Sequence, residues 1–165
     1  MTQTSKQILT MLAFVLPLFG MVSAAIAPLQ AQSVVTLIVT DPLTGIAMAG
    51  YDPVSYFTED RPLPGRPDFE FTWQNVPWHF ATAANRDVFS RAPEIYAPQY
   101  GGHDGMGISR GFVADSDPRI YTVFKQRLYL FYSAANREAF LLAPDAAART
   151  GEEKWASLSR RLSVN

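Results

Sequence analysis

Alternating hydrophobic and polar positions predict a β-hairpin in the middle of the chain. Phe69, Phe71 and Trp73 alternate with polar residues, which is the period of two that is typical of a half-buried strand. A turn over residues 75–77 leads to a second aromatic strand at 78–80. The two strands are close enough in sequence to pair antiparallel.

Seven positions at the end of this hairpin recur 51 residues later. The first set is Phe80, Thr82, Ala84, Asn85, Arg86, Phe89 and Pro93, and the second is Phe131, Ser133, Ala135, Asn136, Arg137, Phe140 and Pro144. Each set has the end of a strand, a hydroxyl residue that can cap a helix, a helix of about ten residues, and a proline that ends it. A strand at 120–124, a turn at 125–127 and a strand at 128–132 complete the second copy. The sequence therefore predicts an internal hairpin-helix repeat.

These elements predict an α+β fold in which two hairpins form one small antiparallel sheet with short helices on one face. Before the first hairpin, a run at 34–39 predicts a strand. Asp52 followed by Pro53 predicts the start of a short helix, because the carboxylate can accept amide hydrogen bonds that proline does not need. Apolar positions at helical spacing within 145–165 predict a C-terminal packing helix.

The first 31 residues have the pattern of a signal peptide. Lys6 is the only charged residue, residues 8–22 form an apolar run, and small residues follow at 23–27. The run is shorter than the roughly 20 residues that a spanning helix needs, so we expect cleavage, with an uncleaved anchor as the alternative. The protein is then expected to be periplasmic or secreted, with no stable membrane insertion after cleavage.

The rest of the chain fits one domain. We predict a signal peptide at 1–31 with an open cleavage site, a strand or linker at 32–45, a domain at 46–144, and a C-terminal helix at 145–165. Roughly 135 mature residues can bury one core. Without Lys6 the net charge is about −2, which does not favour nucleic acid or an anionic membrane as a partner. The chain has no cysteine, which excludes thiol catalysis and thiolate metal ligands.

Three motifs in a fixed order resemble the YHS domain family, in particular its small exported bacterial members. The motifs are Gly-Tyr-Asp-Pro-Val-x-Tyr-Phe at 50–57, Phe-x-Ser/Thr-x-x-Asn-Arg-x-x-Phe at 80–89, and Pro-x-x-Tyr-x-Pro-x-Tyr-Gly-Gly at 93–102. The resemblance covers residues 46–144. It implies a small TRASH/YHS-like binding domain without enzymatic activity.

The chain departs from the metal-binding branch of that family. The branch resembles domains on heavy-metal transport ATPases, and its cysteines fall at positions that match Ser55, Ala81 and Asn85 here. The exported branch often has a cysteine at the position of Asp104, beside a tyrosine where this chain has His103. Alanine cannot bind a metal, and serine and asparagine are poor ligands for soft metals. The resemblance therefore does not carry the thiolate site over.

A glycine-rich segment at 97–111 contains other candidate ligands. His103, Asp104 and Met106 could hold copper or another transition ion, and His79 could add a second imidazole. In the alternative interpretation, His103 and Met106 pack against aromatic residues, Asp104 caps a turn, and His79 is an exposed polar residue. We expect the segment to be a loop, which would leave the candidate ligands exposed.

Two enzyme motifs are rejected. Residues 107–111 match the Gly-x-Ser-x-Gly elbow of hydrolases, but both histidines precede Ser109 and we expect no helix after it. Arg110 stands where a dinucleotide fingerprint needs its third glycine. An anion cradle of backbone amides and Arg110 remains open.

Two functional hypotheses remain. The first is a non-enzymatic YHS-type domain that binds a transition metal through His103, Asp104, Met106 and His79. The second is a metal-free degenerate domain that binds a periplasmic protein partner through its aromatic surface.

Overall fold

Two antiparallel hairpins organise the structure, a computed structural model that describes residues 37–162. The first hairpin joins β1 (Arg66–Trp73) to β2 (Val76–Phe80), and the second joins β3 (Asp117–Phe124) to β4 (Arg127–Phe131). Each hairpin is a separate two-stranded sheet, so the α+β class is confirmed but the prediction of one sheet is wrong.

The outer edge of each hairpin is occupied by the segment that precedes it. The amide of Ala47 donates to the carbonyl oxygen of Pro77 in β2 at 3.0 Å. Asp104 forms a parallel bridge with Leu130 in β4. These contacts occupy part of the free edges of β2 and β4, where a further strand would pair.

Both hairpins turn through two residues in the left-handed backbone region. Gln74 and Asn75 have φ of 51° and 62°, and Lys125 and Gln126 have φ of 50° and 59°. This is the type I′ geometry that matches the right-handed twist of paired strands. The predicted turns at 75–77 and 125–127 were therefore misplaced, since Val76 and Arg127 already belong to strands.

Within residues 37–162, six helices and two short 3-10 turns surround the hairpins. The helices are α1 (Ser55–Thr58), α2 (Ala83–Arg91), α3 (Pro93–Tyr96), α4 (Gly105–Arg110), α5 (Ala134–Leu141) and α6 (Pro144–Leu162), and the 3-10 turns are Met48–Gly50 and Gln99–Gly102. The predicted caps are confirmed, because the Thr82 and Ser133 hydroxyls accept from the amides of Asn85 and Asn136 at 3.1 and 3.2 Å. α2 and α5 end before Pro93 and Pro144, as predicted, and each proline also begins the next helix.

The predicted strand at 34–39 is only partly within the described residues, and residues 37–39 are not in a strand. Val39 donates its amide to the carbonyl oxygen of Gly101 at 2.8 Å, and Thr40 forms an isolated bridge with Ala47. A Cβ on Gly101 would lie 1.9 Å from the Leu37 carbonyl oxygen. Residues 37–39 therefore pass close to the backbone of Gly101 and do not pair with a strand. The predicted signal peptide lies outside the described residues.

Each hairpin packs a core with the helix that follows it. The rings of Phe80 and Phe89 are 5.1 Å apart in the first core, and those of Phe131 and Phe140 are 5.3 Å apart in the second. β4 contributes to both cores, because Leu128 and Leu130 pack in the first core and Tyr129 and Phe131 pack in the second. Among residues 37–162, no helix combines the length and apolar character needed to cross a bilayer.

Candidate functional site

A buried carboxylate ties the start of α1 to the start of α2. Asp52 is fully buried, and its Oδ1 accepts a hydrogen bond from the amide of Val54 at 2.8 Å. Its Oδ2 accepts from the amide of Ala81 at 2.8 Å and from Asn85 Nδ2 at 2.6 Å. The hydroxyl of Ser55 donates to the Asp52 carbonyl oxygen at 2.6 Å. We call the pair of Asp52 and Asn85 the first clamp.

The same chemistry recurs at the start of α4. Asp104 is fully buried, and its Oδ1 accepts from the amide of Met106 at 3.3 Å. Its Oδ2 accepts from Asn136 Nδ2 at 2.5 Å, and Asn136 Oδ1 accepts from Arg110 at 3.3 Å. We call the pair of Asp104 and Asn136 the second clamp. Asp104 thus has the capping role of the alternative interpretation.

The glycine-rich segment is not the expected exposed loop. Residues Gly105–Arg110 form α4, and Ser109 lies inside this helix, contrary to expectation. A Cβ on Gly105 would lie 3.3 Å from the Phe131 ring, and one on Gly107 would lie 3.0 Å from Asp104 Oδ2. The glycines therefore allow α4 to pack closely against β4 and the second clamp, and His103 and Asp104 are buried while Met106 is partly buried.

His103 is 1 % exposed, so the expectation of an accessible imidazole is wrong. Its Nδ1 lies 3.6 Å from the Asp115 carboxylate, and its ring centroid lies 5.7 Å from that of Trp155. Met106 is partly buried against the second core, which also contains Tyr100. Both side chains are thus in aromatic surroundings.

His79 is also buried, at 8 % exposure, so the interpretation of it as an exposed residue is wrong. Its Nε2 lies 3.2 Å from Glu70 Oε2 on the paired strand. The backbone at Gly65 covers it so closely that a Cβ there would lie 2.6 Å from the His79 Cβ. The sequence placed His79 on the opposite face of its strand from Trp78 and Phe80. It did not reveal that the backbone at Gly65 covers the His79 side chain.

All four candidate metal ligands therefore contact other residues of the protein. His103, Asp104 and Met106 stand together at the start of α4, whereas His79 pairs with Glu70 in the other hairpin. Among residues 37–162, no three His, Cys, Asp or Glu side chains are grouped so that they could hold a metal ion. A metal at Asp104 would have to displace the hydrogen bonds of the second clamp.

All three tryptophans of the chain line one cleft. The sequence pattern did not predict this cleft. A cavity of about 290 Å³ is lined by Trp73, Trp78 and Trp155, and a cavity of about 340 Å³ shares Trp73 and Trp155 and adds Glu94 and Glu152. We call these two cavities the tryptophan cleft. It lies where the two cores meet, because Trp78 belongs to the first core and Trp155 packs against the second.

Tyr100 fixes the α6 wall of the cleft. Its hydroxyl donates to the Ala148 carbonyl oxygen at 3.0 Å, and its ring centroid is 5.9 Å from that of Trp155. Burial raises the pKa of this hydroxyl above its ordinary value, so Tyr100 stays neutral as a donor. A Cβ on Gly151 would lie 2.4 Å from the Tyr100 oxygen, so glycine allows this close approach.

The missed tryptophans carried only a weak signal in the sequence. Trp73 fitted the core face of a strand and Trp155 fitted a packing helix, and both are indeed partly buried. Only the meeting of the two hairpin units reveals that they line the same cleft.

Compared with protein-family models, curated proteins and solved structures, the chain matches none of them.

Proposed function

We propose that this chain is an exported, non-enzymatic YHS-type binding domain that works without a metal and recognises its ligand through the tryptophan cleft. The two clamps are the observation that carries the metal-free part of the proposal. They occupy the regions where the resemblance would place a metal site. The cleft supplies the aromatic surface that a metal-free domain would use for recognition.

The first clamp provides hydrogen bonds that stabilise this region of the domain without cysteines. Ser55, Ala81 and Asn85 match the cysteine positions of the metal-binding branch, and all three contact Asp52. The hydroxyl of Ser55, the amide of Ala81 and Nδ2 of Asn85 all act as donors to its oxygens. Internal hydrogen bonds therefore stand where thiolates would bind a metal, and a buried carboxylate with several donors is well satisfied.

The second clamp supports the same proposal and an internal repeat. Asp104 and Asn136 reproduce the Asp52–Asn85 contact, with distances of 2.5 and 2.6 Å between the amide nitrogen and Oδ2. In both clamps, Oδ1 of the aspartate accepts an amide two residues later. Matching contacts in both hairpin units favour a common origin for the two units.

The surroundings of Ser109 do not fit the nucleophile of a Gly-x-Ser-x-Gly hydrolase. This residue lies inside α4 and is 9 % exposed, and its carbonyl oxygen accepts a hydrogen bond from Lys154 Nζ at 2.8 Å. The serine nucleophile of an α/β-hydrolase instead lies on an exposed, strained turn between a strand and a helix. The Gly-x-Ser-x-Gly spacing here is better explained by helix packing.

Calorimetric titration of the mature protein with Cu²⁺ and with Zn²⁺, after treatment with a chelator, tests the metal-free proposal. We expect no stoichiometric heat with either ion, because Asp104 is engaged and His103 is buried. The variant with His103→Ala and Met106→Ala should give the same trace as the wild type. Stoichiometric binding in the wild type that the double variant loses would overturn the proposal.

A further inference from the structure

We propose that the tryptophan cleft binds a small organic cation of the trimethylammonium type. This inference rests on the proposed function, because it takes the cleft as the recognition surface of the domain. It adds the chemical class of the ligand, which follows from the aromatic walls and the charge of the rim.

Trp73 and Trp155 are the partly exposed indole rings of the cleft, because Trp78 is only 1 % exposed. Trp73 and Trp78 stand together with ring centroids 5.6 Å apart, and Trp155 stands beside Tyr100 with centroids 5.9 Å apart. The face of an indole ring is the best cation acceptor among aromatic side chains, because its quadrupole places negative potential there. A cation between these walls can contact aromatic groups of both hairpin units.

The charge of the lining matches a cation. The residues around the two cavities include two carboxylates, Glu94 and Glu152, and no lysine or arginine. Glu152 is paired with Arg127. Glu94 is exposed, and it has no ion-pair partner among residues 37–162. An unpaired carboxylate beside indole rings favours a cationic ligand over a neutral or anionic one.

The cleft is also held in place before any ligand arrives. Ala97 and Pro98 form a buried floor of backbone shared by both cavities. The Tyr100 hydrogen bond to Ala148 and the close contact at Gly151 fix α6 on the opposite side. A preformed site loses less conformational entropy on binding. The cavities of about 290 and 340 Å³ have room for an alkylated ammonium group.

Intrinsic tryptophan fluorescence gives a direct test, since every tryptophan of the chain lines the cleft. The mature protein is titrated with choline and, separately, with its neutral isostere 3,3-dimethylbutan-1-ol. We expect a saturable change with choline, weakened by added salt, and none with the alcohol over the same concentrations. The absence of a saturable change with choline overturns the inference.

Matched variants locate the binding. Glu94→Gln should weaken choline binding by about fivefold, whereas Glu153→Gln, an exposed neighbour outside the lining, should not change it. Trp155→Leu and Trp73→Leu should each weaken it by at least about tenfold. Tyr132→Leu removes an exposed aromatic residue away from the cleft and should have no effect. Binding that is unaffected by Glu94→Gln and by both tryptophan variants overturns the inference.

The two proposals fail in different ways. Equal binding of choline and the alcohol overturns the cation inference but leaves the cleft as an apolar recognition site. Because the choline titration contains no metal, its failure does not bear on the metal-free proposal. Stoichiometric copper binding through His103 and Met106 overturns that proposal, whatever choline does.

Discussion

At the residue scale, the clamps show how much of a buried contact a sequence can reveal. Asp52 before Pro53 predicted a carboxylate that accepts amides, and Oδ1 of Asp52 does accept the amide of Val54. The sequence could not reveal that Asn85, 33 residues away, donates to the other oxygen. Capping is a local interaction that short-range patterns encode, whereas this partner depends on how the first hairpin packs.

Replacing Asp52 with alanine should lower the free energy of unfolding by about 3–5 kcal/mol. The change leaves the amides of Val54 and Ala81 and the side-chain amide of Asn85 without their buried acceptor. Chemical denaturation at neutral pH measures the loss. Asp60→Ala, at an exposed aspartate, is the control and should change the free energy by less than about 0.5 kcal/mol. Equal effects of the two variants would show that the hydrogen bonds of Asp52 do not stabilise the fold.

Tyr56 should make the protein less stable at alkaline pH. Burial raises the pKa of its hydroxyl above the ordinary value of 10.0, with nearby Tyr51 and Tyr121 adding to the shift. The folded state therefore keeps the proton that the unfolded state loses. This stabilising contribution is complete below about pH 10 and declines as the pH rises toward the folded-state pKa.

Tyr56→Phe tests this linkage. At pH 7 it should cost about 1 kcal/mol, because the hydrogen bond from the Tyr56 hydroxyl to the Pro118 carbonyl oxygen, 2.8 Å long, is lost. Above about pH 10, the stability of the variant should fall less steeply than that of the wild type, by about 1.4 kcal/mol per pH unit for one proton. Urea denaturation from pH 8 to pH 11 measures both slopes, and identical slopes would contradict the assignment.

At the element scale, strands and helix starts could be predicted, but turns and α4 could not. The period of two located β1, the internal repeat located β3, and hydroxyl residues located the starts of α2 and α5. The hairpin turns use Gln, Asn and Lys in the left-handed region, where glycine is the usual signal. α4 was missed because its glycines were interpreted as loop residues, although they serve close packing.

The two turns give a matched pair of substitutions. Gln126→Gly should raise the free energy of unfolding by about 1 kcal/mol, because glutamine in the left-handed region is strained and glycine is not. Asn75→Gly should gain less, since asparagine tolerates that region better. Thermal and chemical unfolding of both variants measure the difference. A loss of stability in Gln126→Gly would contradict the type I′ turn.

At the scale of the whole molecule, β4 joins the two cores. Leu128, Tyr129, Leu130 and Phe131 are all at most 2 % exposed, with alternate residues in different cores. The continuous apolar run was consistent with burial on both faces, but the sequence could not identify the second core. The cleft depends on this arrangement, because its walls come from elements that are distant in the chain.

Gly151→Ala should disturb the cleft through α6. The added Cβ would meet the Tyr100 hydroxyl at 2.4 Å, so either α6 or Tyr100 has to shift. Either movement changes the surroundings of Trp155, whose ring centroid is 5.9 Å from that of Tyr100. Overpacking should outweigh the better helix propensity of alanine and lower the stability by about 1 kcal/mol. The tryptophan emission spectrum should change as well. Ala146→Gly, an exposed site on the same helix outside the lining of the cleft, controls for propensity and should leave the spectrum unchanged. An unchanged spectrum in Gly151→Ala would contradict the close contact.

We propose that hydrogen-bonded clamps, and not a metal, stabilise the regions where the resemblance places a metal site. A double-mutant cycle on the second clamp tests it most directly, with Asp104→Ala, Asn136→Ala and the double variant unfolded in urea. We expect a favourable coupling free energy of about 1–3 kcal/mol that is the same with a chelator and with excess Cu²⁺. A coupling near zero, or wild-type stability that rises with Cu²⁺, would contradict it.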